Sequence, residues 1–253
     1  MMPSVRLEID GSVARITLNR PEVLNAGDPG WVAELTDVVA RVGALRELRV
    51  AVITGAGRAF STGVDLRSLA AGEMTLPHFV AWEDAMTAIE RMPLPFIAAI
   101  NGHCLGGGLQ IALVCDYRLA AADAVIGLPA VKECLIPSMA LYRLPRLIGA
   151  ARAREMILIG EPISAARAAD YGLINQVIPA SEFPRALDEC IGRFLALPAT
   201  SVGVSKRLLA RAFDLPFDAF RREMEAGFRF CLDSAEHRAA MDELRRRRIG
   251  PAR

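Results

Sequence analysis

The residues of this chain best suited to chemistry lie in two glycine-bearing loops. The first spans residues 101–116 and reads NGHCLGGGLQIALVCD. Gly102, Gly106, Gly107 and Gly108 remove Cβ atoms from one side of a tight turn, which lets a ligand lie against backbone N–H groups. The apolar run Leu109, Ile111, Ala112, Leu113 and Val114 predicts a buried helix that starts at this turn and aims the partial positive charge of its N-terminus back at it. Such a place stabilises an anion or a developing oxyanion. The second loop, residues 55–66 (GAGRAFSTGVDL), starts at the end of a predicted strand, where open α/β folds place ligands, and is the natural partner of the first.

Strands and helices that could hold these loops follow from the pattern. Val5, Leu7, Ile9, Val13, Ile16 and Leu18 alternate on either side of Asp10-Gly11, which predicts a hairpin turning at that pair. Asp28 is a predicted N-cap and Pro29 a first-turn residue for a helix carrying Trp31, Val32, Leu35, Val38, Val39 and Val42 on one face. Residues 49–54 and 95–100 read as buried strands, and residues 63–92 as a helix pair between them. Two short strands follow in YRLAA and AVIGL, then a loop bracketed by Pro129 and Pro137, and another short strand over residues 174–179. From Ser181 onward the pattern is helical, punctuated by Pro198 and Pro216. The order implies an α/β fold with right-handed crossovers. Residues 1–196 are expected to form the core that holds the pocket, and residues 197–253 a helical C-terminal region.

Composition narrows the function classes. A net charge of +1 leaves no electrostatic footprint for nucleic acid, and the basic cluster at residues 245–248 reads as a solvated or subunit-contacting helix end. Five cysteines, an odd number without CxxC spacing, argue against a disulfide framework and a zinc site and for reduced cytoplasmic thiols. The alternating N-terminus and the absence of an apolar run of about 18 residues give no support to secretion or membrane spanning. A nicotinamide-binding fold fits poorly, because the glycines at 55, 57 and 63 miss the G-x-G-x-x-G spacing. Neither lysine, Lys132 or Lys206, follows a tyrosine by four residues, and no glycine loop ends in Gly-Lys-Ser/Thr as a P-loop does.

Further segments carry a resemblance. NRPEVLNA (19–26), VITGAGRAFSTGVDL (52–66), FIAAINGHCLGGGLQIALVCDYRLAA (96–121), IGLPAVKECLIP (126–137) and residues 143–179 together resemble the crotonase superfamily, the enoyl-CoA hydratase/isomerase family. The resemblance implies a spiral of ββα units with a helical C-terminal region used in trimer contacts, the trimers often pairing into hexamers. It implies an acyl-CoA thioester as substrate, with coenzyme A arriving as part of it and no tightly bound cofactor. It places the oxyanion-hole N–H groups on Val64 and Gly107. Val23, Asn25, Ala26, Asp65 and Leu66 match segments that line the CoA moiety, and Asp116 matches a structural residue.

The departures are as informative. Hydratases of the family hold the attacking water with two glutamates, and at those positions this chain has Gln110 and Ala130. An amide orients water but is no base near neutral pH. The expected chemistry is therefore isomerase, decarboxylase or other lyase chemistry on an acyl-CoA, with a non-catalytic acyl-CoA-binding protein as the alternative. Glu133, three residues beyond Ala130, is an acid/base candidate that shares its face on a helical turn and points away from it on a strand. Cys134 reads as a buried inert thiol close to the acyl pocket, His78 and His103 as hydrogen-bonded loop residues, and His237 as part of the distal tail. Glu83 and Asp84 are expected on a helix near the acyl end, solvated.

Overall fold

The computed structural model describes residues 2–249. Strands β1 (Val5–Asp10) and β2 (Val13–Leu18) form the expected antiparallel hairpin. Asp10 pairs with Val13, so the turn residues are Gly11 and Ser12, one position later than Asp10-Gly11. Gly11 supplies the positive φ of +55° that the tight turn requires. Helix α1 (Pro29–Ala44) begins where Asp28 accepts the Trp31 N–H at 2.8 Å, and its predicted apolar face is the buried one.

After β3 (Val50–Gly55) and β4 (Ala59–Ser61), helices α2 (Leu66–Ala70) and α3 (Leu76–Arg91) return the chain to β5 (Phe96–Ile100). Strand β6 (His103–Leu105), helix α4 (Gly107–Leu113), β7 (Tyr117–Ala121) and β8 (Val125–Gly127) follow. Then come α5 (Ala140–Ile148), α6 (Ala150–Leu158), β9 (Ile163–Ser164), α7 (Ala165–Asp170) and β10 (Gln176–Ile178). The described chain ends in α8 (Phe183–Leu195), α9 (Ala199–Leu209), α10 (Phe217–Leu232) and α11 (Ala235–Ile249).

The strands make two sheets, one ordered β1-β2-β3-β5-β7-β10 and parallel beyond the hairpin, the other ordered β4-β6-β8-β9. Ala51, Ile53, Phe96, Ala98 and Ile100 face a core built with α1, α3 and α4, while Val50, Val52, Ile97 and Ala99 face Leu187, Cys190 and Ile191 of α8. Burial on both faces is why β3 and β5 read as unbroken apolar runs. Helix α9 is tied to this core by Lys206, whose ammonium donates to Ile89 O, Leu94 O and Asp116 Oδ2 at 3.0, 2.8 and 2.7 Å. Asp116 also accepts the Phe96 N–H at 2.7 Å, which fits a structural part. At the end of α11 Arg245 pairs with Asp242, and Arg246 and Arg247 pair with Glu243, all within the helix; the Arg248 side chain lies outside the described residues.

Candidate active site

The two glycine loops meet at the head of a cavity of about 510 Å³. Gly27 and Val64 form a parallel bridge in which Gly27 donates to Gly63 O at 2.8 Å and accepts from Asp65 N at 2.9 Å. In such a bridge the N–H of the central residue, Val64, points to the other side of the chain. On that side stands α4, whose first amide, Gly107 N, has no intrahelical partner. The approach is close: a Cβ on Gly63, at φ +89°, would lie 2.6 Å from Gly107 N. A Cβ on Gly107 would lie 2.7 Å from the Trp82 ring. Gly102 and Gly108 act differently from the expectation. Cβ atoms on Gly102 and Gly108 would lie 2.1 Å from Arg58 O and Ser61 O, so these positions let the chain pack backbone to backbone against the β4 segment rather than against a ligand.

Of the residues matched to CoA-lining segments, Val23, Ala26, Asp65 and Leu66 line the cavity and Asn25 does not. Its side chain is fully buried, donating to Ala56 O, Ala59 O and Phe60 O and accepting from Arg20 N, so it ties the loops together from behind. Asp65 has a second task, capping α2 through the Arg67 N–H and pairing with Arg20. Gln110, one turn beyond Gly107, and Ala130 both line the cavity. Gln110 is 9% exposed, and its Oε1 is buried without a donor among the described residues.

Residues 129–133 form a 3-10 turn, in which positions three apart lie on one side. Ala130 and Glu133 accordingly line the cavity together, with the Glu133 side chain open to solvent. Cys134 departs from its expectation: it is exposed, closes that turn at φ +56° and lies outside the cavity lining. Its neighbour Leu135 takes the wall position instead. The buried thiols are Cys104, raised well above its ordinary pKa by burial, Cys115, pushed up to about 12 by burial and then by Asp116, and Cys190, also raised by burial, so none is a nucleophile at neutral pH. His78 accepts from Thr75 N as part of the α3 cap, and His103 sits in β6 away from the cavity. Glu83 also departs from expectation. It is no solvated carboxylate but pairs with Arg143 at 2.7 Å and accepts from Ser138 Oγ and Thr87 Oγ1, both at 3.2 Å.

Several wall residues were not singled out from the pattern. Phe79, Trp82 and Met86 of α3 line the cavity, as do Arg58, Arg67, Ile136 and Ser138. The spacing of Phe79, Trp82 and Met86 along one face of α3 was readable, but such a stripe equally describes a core helix.

An open main-chain cradle above a largely apolar cavity, carried on two packed sheets, is the architecture of a known enzyme class. The profile of the enoyl-CoA hydratase/isomerase family matches residues 8–243. The (E)-benzylidenesuccinyl-CoA hydratase of Thauera aromatica is 37% identical over 228 residues, 85% of each chain. The short-chain-enoyl-CoA hydratase of Clostridium acetobutylicum is 31% identical over 245 residues, 94% of this chain and 93% of that one. The crystal structure of enoyl-CoA hydratase from Bacillus anthracis superposes with a TM-score of 0.90 over 96% of both chains, at 28% identity. The chain belongs to the enoyl-CoA hydratase/isomerase family of the crotonase superfamily. Among the described residues no helix is long and apolar enough to cross a membrane, and no group of three or more His, Cys, Asp or Glu residues could hold a metal ion.

Proposed function

We propose that this protein binds an acyl-CoA thioester with its carbonyl oxygen against the N–H groups of Val64 and Gly107 and stabilises the enolate that forms there. The observation that carries this is the close approach of the Gly63 main chain, next to Val64, to Gly107 N at the head of the cavity that Val64 and Gly107 both line. Such donors are fixed before reaction, and each contributes about 3 kcal/mol against a developing oxyanion. Val23, Ala26 and Leu66 offer apolar surface to the CoA arm, and the exposed Arg58 and Arg67 suit its phosphates.

The chemistry is isomerisation, decarboxylation or another lyase reaction in preference to two-glutamate hydration. Hydration needs one group to deprotonate water and a proton for the α-carbon, and neither the Gln110 amide nor Ala130 handles protons near neutral pH. In an isomerisation Glu133 takes a proton from one acyl carbon and returns it to another, the electron pair resting meanwhile in the enolate. In a decarboxylation the electrons of the breaking C–C bond flow into the same enolate as carbon dioxide leaves, and a later proton quenches it. The exposure of Glu133 favours a second reading, a non-catalytic acyl-CoA-binding protein. Exposed Phe213, Phe217, Phe228 and Phe230 around α10 support the homotrimer, or hexamer of paired trimers, whose mass light scattering reads directly.

Calorimetry with a panel of acyl-CoAs tests the binding, and loss of crotonyl-CoA absorbance tests the chemistry. Binding is expected with hydration far below a hydratase rate, raised when Gln110→Glu and Ala130→Glu are combined. Hydratase-level turnover by the unaltered protein overturns the chemical reading, and absence of binding to any CoA ester overturns both. Exchange of the α-proton in D2O, lost in Glu133→Gln, separates enzyme from binder.

A further inference from the structure

Ser138 places a hydroxyl in a stretch of cavity wall otherwise made by Leu135, Ile136 and Met86. Its backbone is held at φ +41°, a left-handed conformation that residues with a Cβ seldom adopt, and such strain persists only where surrounding contacts enforce it. Around it, Ala140 N–H donates to Pro137 O at 2.9 Å and Leu141 N–H to Ser138 O at 3.3 Å, and Ser138 Oγ donates to Glu83 Oε2 at 3.2 Å. Glu83 is itself fixed, since its other oxygen accepts from Thr87 Oγ1 at 3.2 Å and meets Arg143 Nη2 at 2.7 Å. Arg143 is 6% exposed and also donates to Glu90; burial works against its charge, but the hydrogen bonds it donates to both carboxylates outweigh that and raise its pKa.

The direction of the chain of hydrogen bonds follows. A carboxylate only accepts, so the Ser138 proton is committed to Glu83 and the lone pairs of Oγ are what the hydroxyl can offer the cavity. Lone pairs backed by a carboxylate attract a hydroxyl group and repel an anion.

Resting on the reading of the cavity as an acyl-CoA site, we propose that Ser138, positioned by Glu83 and Arg143, selects acyl groups that carry a hydroxyl over plain hydrocarbon chains and over acyl groups ending in carboxylate. Ser138 is a specificity residue that binds the acyl group and takes no part in proton transfer.

The test is calorimetry of the full chain with hexanoyl-CoA, its 3-hydroxy and 5-hydroxy derivatives, and adipyl-CoA. One hydroxy isomer is expected to bind about five- to tenfold tighter than hexanoyl-CoA, the ratio one neutral hydrogen bond supports, and adipyl-CoA more weakly than either. Ser138→Gly removes the hydroxyl while suiting the positive φ; it should bring the ratio of hydroxyacyl-CoA to hexanoyl-CoA affinity down to about one. Glu83→Gln, whose amide can donate to Ser138 and free its proton for the cavity, should raise adipyl-CoA binding relative to hexanoyl-CoA, a reversal that loss of structure alone cannot produce. The proposal is overturned if hexanoyl-CoA binds but neither hydroxy isomer is preferred, or if Ser138→Gly keeps the preference. Failure of every CoA ester to bind overturns the acyl-CoA reading itself.

Discussion

Replacing Gly63 with alanine sets a methyl group between the two loops that meet at the head of the cavity. The new Cβ would stand 2.6 Å from Gly107 N and 3.1 Å from Leu105 O, both main-chain atoms, so no side chain can rotate away to make room. Alanine at φ +89° adds a backbone penalty of about 1 kcal/mol. Overpacking of this kind adds about 1–3 kcal/mol, so the fold should lose roughly 2–4 kcal/mol. The larger effect is on the bound carbonyl. If the carbonyl sits as proposed, pushing Gly107 away from Val64 removes one of its two donors, which should lower turnover by about 10²–10³-fold but weaken ground-state binding only about five- to tenfold. A conjugated thioester such as cinnamoyl-CoA reports this without any turnover, because donors on its carbonyl polarise the chromophore and shift its absorbance to the red on binding. The unaltered protein should give the shift and Gly63→Ala should lose most of it. Gly72→Ala is the control: its φ of +75° carries a similar penalty, yet a Cβ there meets nothing within 4 Å, so stability falls by about 1 kcal/mol and the shift is kept. A full red shift in Gly63→Ala would refute the placing of the carbonyl between Val64 and Gly107.

Two further outcomes concern the tail. Lys206→Met leaves the solvent-accessible Asp116 and the buried carbonyls of Ile89 and Leu94 without their ammonium, and the loss of these hydrogen bonds should cost about 1–3 kcal/mol in chemical denaturation; a loss below about 0.5 kcal/mol would contradict its anchoring part. Glu236 of α11 accepts the N–H groups of Ala199 and Thr200 at the start of α9, and hydrogen bonds from Thr200 foremost hold its carboxyl below the ordinary value. A depressed folded-state value means that this contact stabilises fully above the unfolded carboxylate range and is lost as pH falls through the folded value. Hydrogen exchange in α11 should therefore rise below about pH 4, and Glu236→Gln should show fast exchange without that pH dependence.

How much was legible in the chain depended on how locally each feature is encoded. The start and buried face of helix α1 were readable because Asp28, Pro29 and the spacing from Trp31 to Val42 are all local to it. Strands β4, β6 and β9 were not, since two or three residues are too few to show a period and their pairing is decided by neighbours far along the chain. The glycine loops pointed to the site, yet the same residue type serves two ends: Gly107 opens space beside the cavity, whereas Gly102 and Gly108 press against the chain at Arg58 and Ser61. Only the fold separates those cases. Asn25 shows the same limit, for a position next to cavity residues turned its side chain inward. Glu133 could be placed once the 3-10 turn was known, and Glu83 became a framework group once Arg143, 60 residues further along, was beside it.

The backbone-to-backbone packing at Gly102 and Gly108 separates the site into a chassis and a trim. Main chain is locked to main chain there, so the course of the two loops at those points does not depend on which side chains line the cavity. On the proposed reading, Gln110, Ala130 and Ser138 can therefore change identity while the two N–H donors keep their places, and a lineage can exchange one reaction or substrate for another by redecorating the walls.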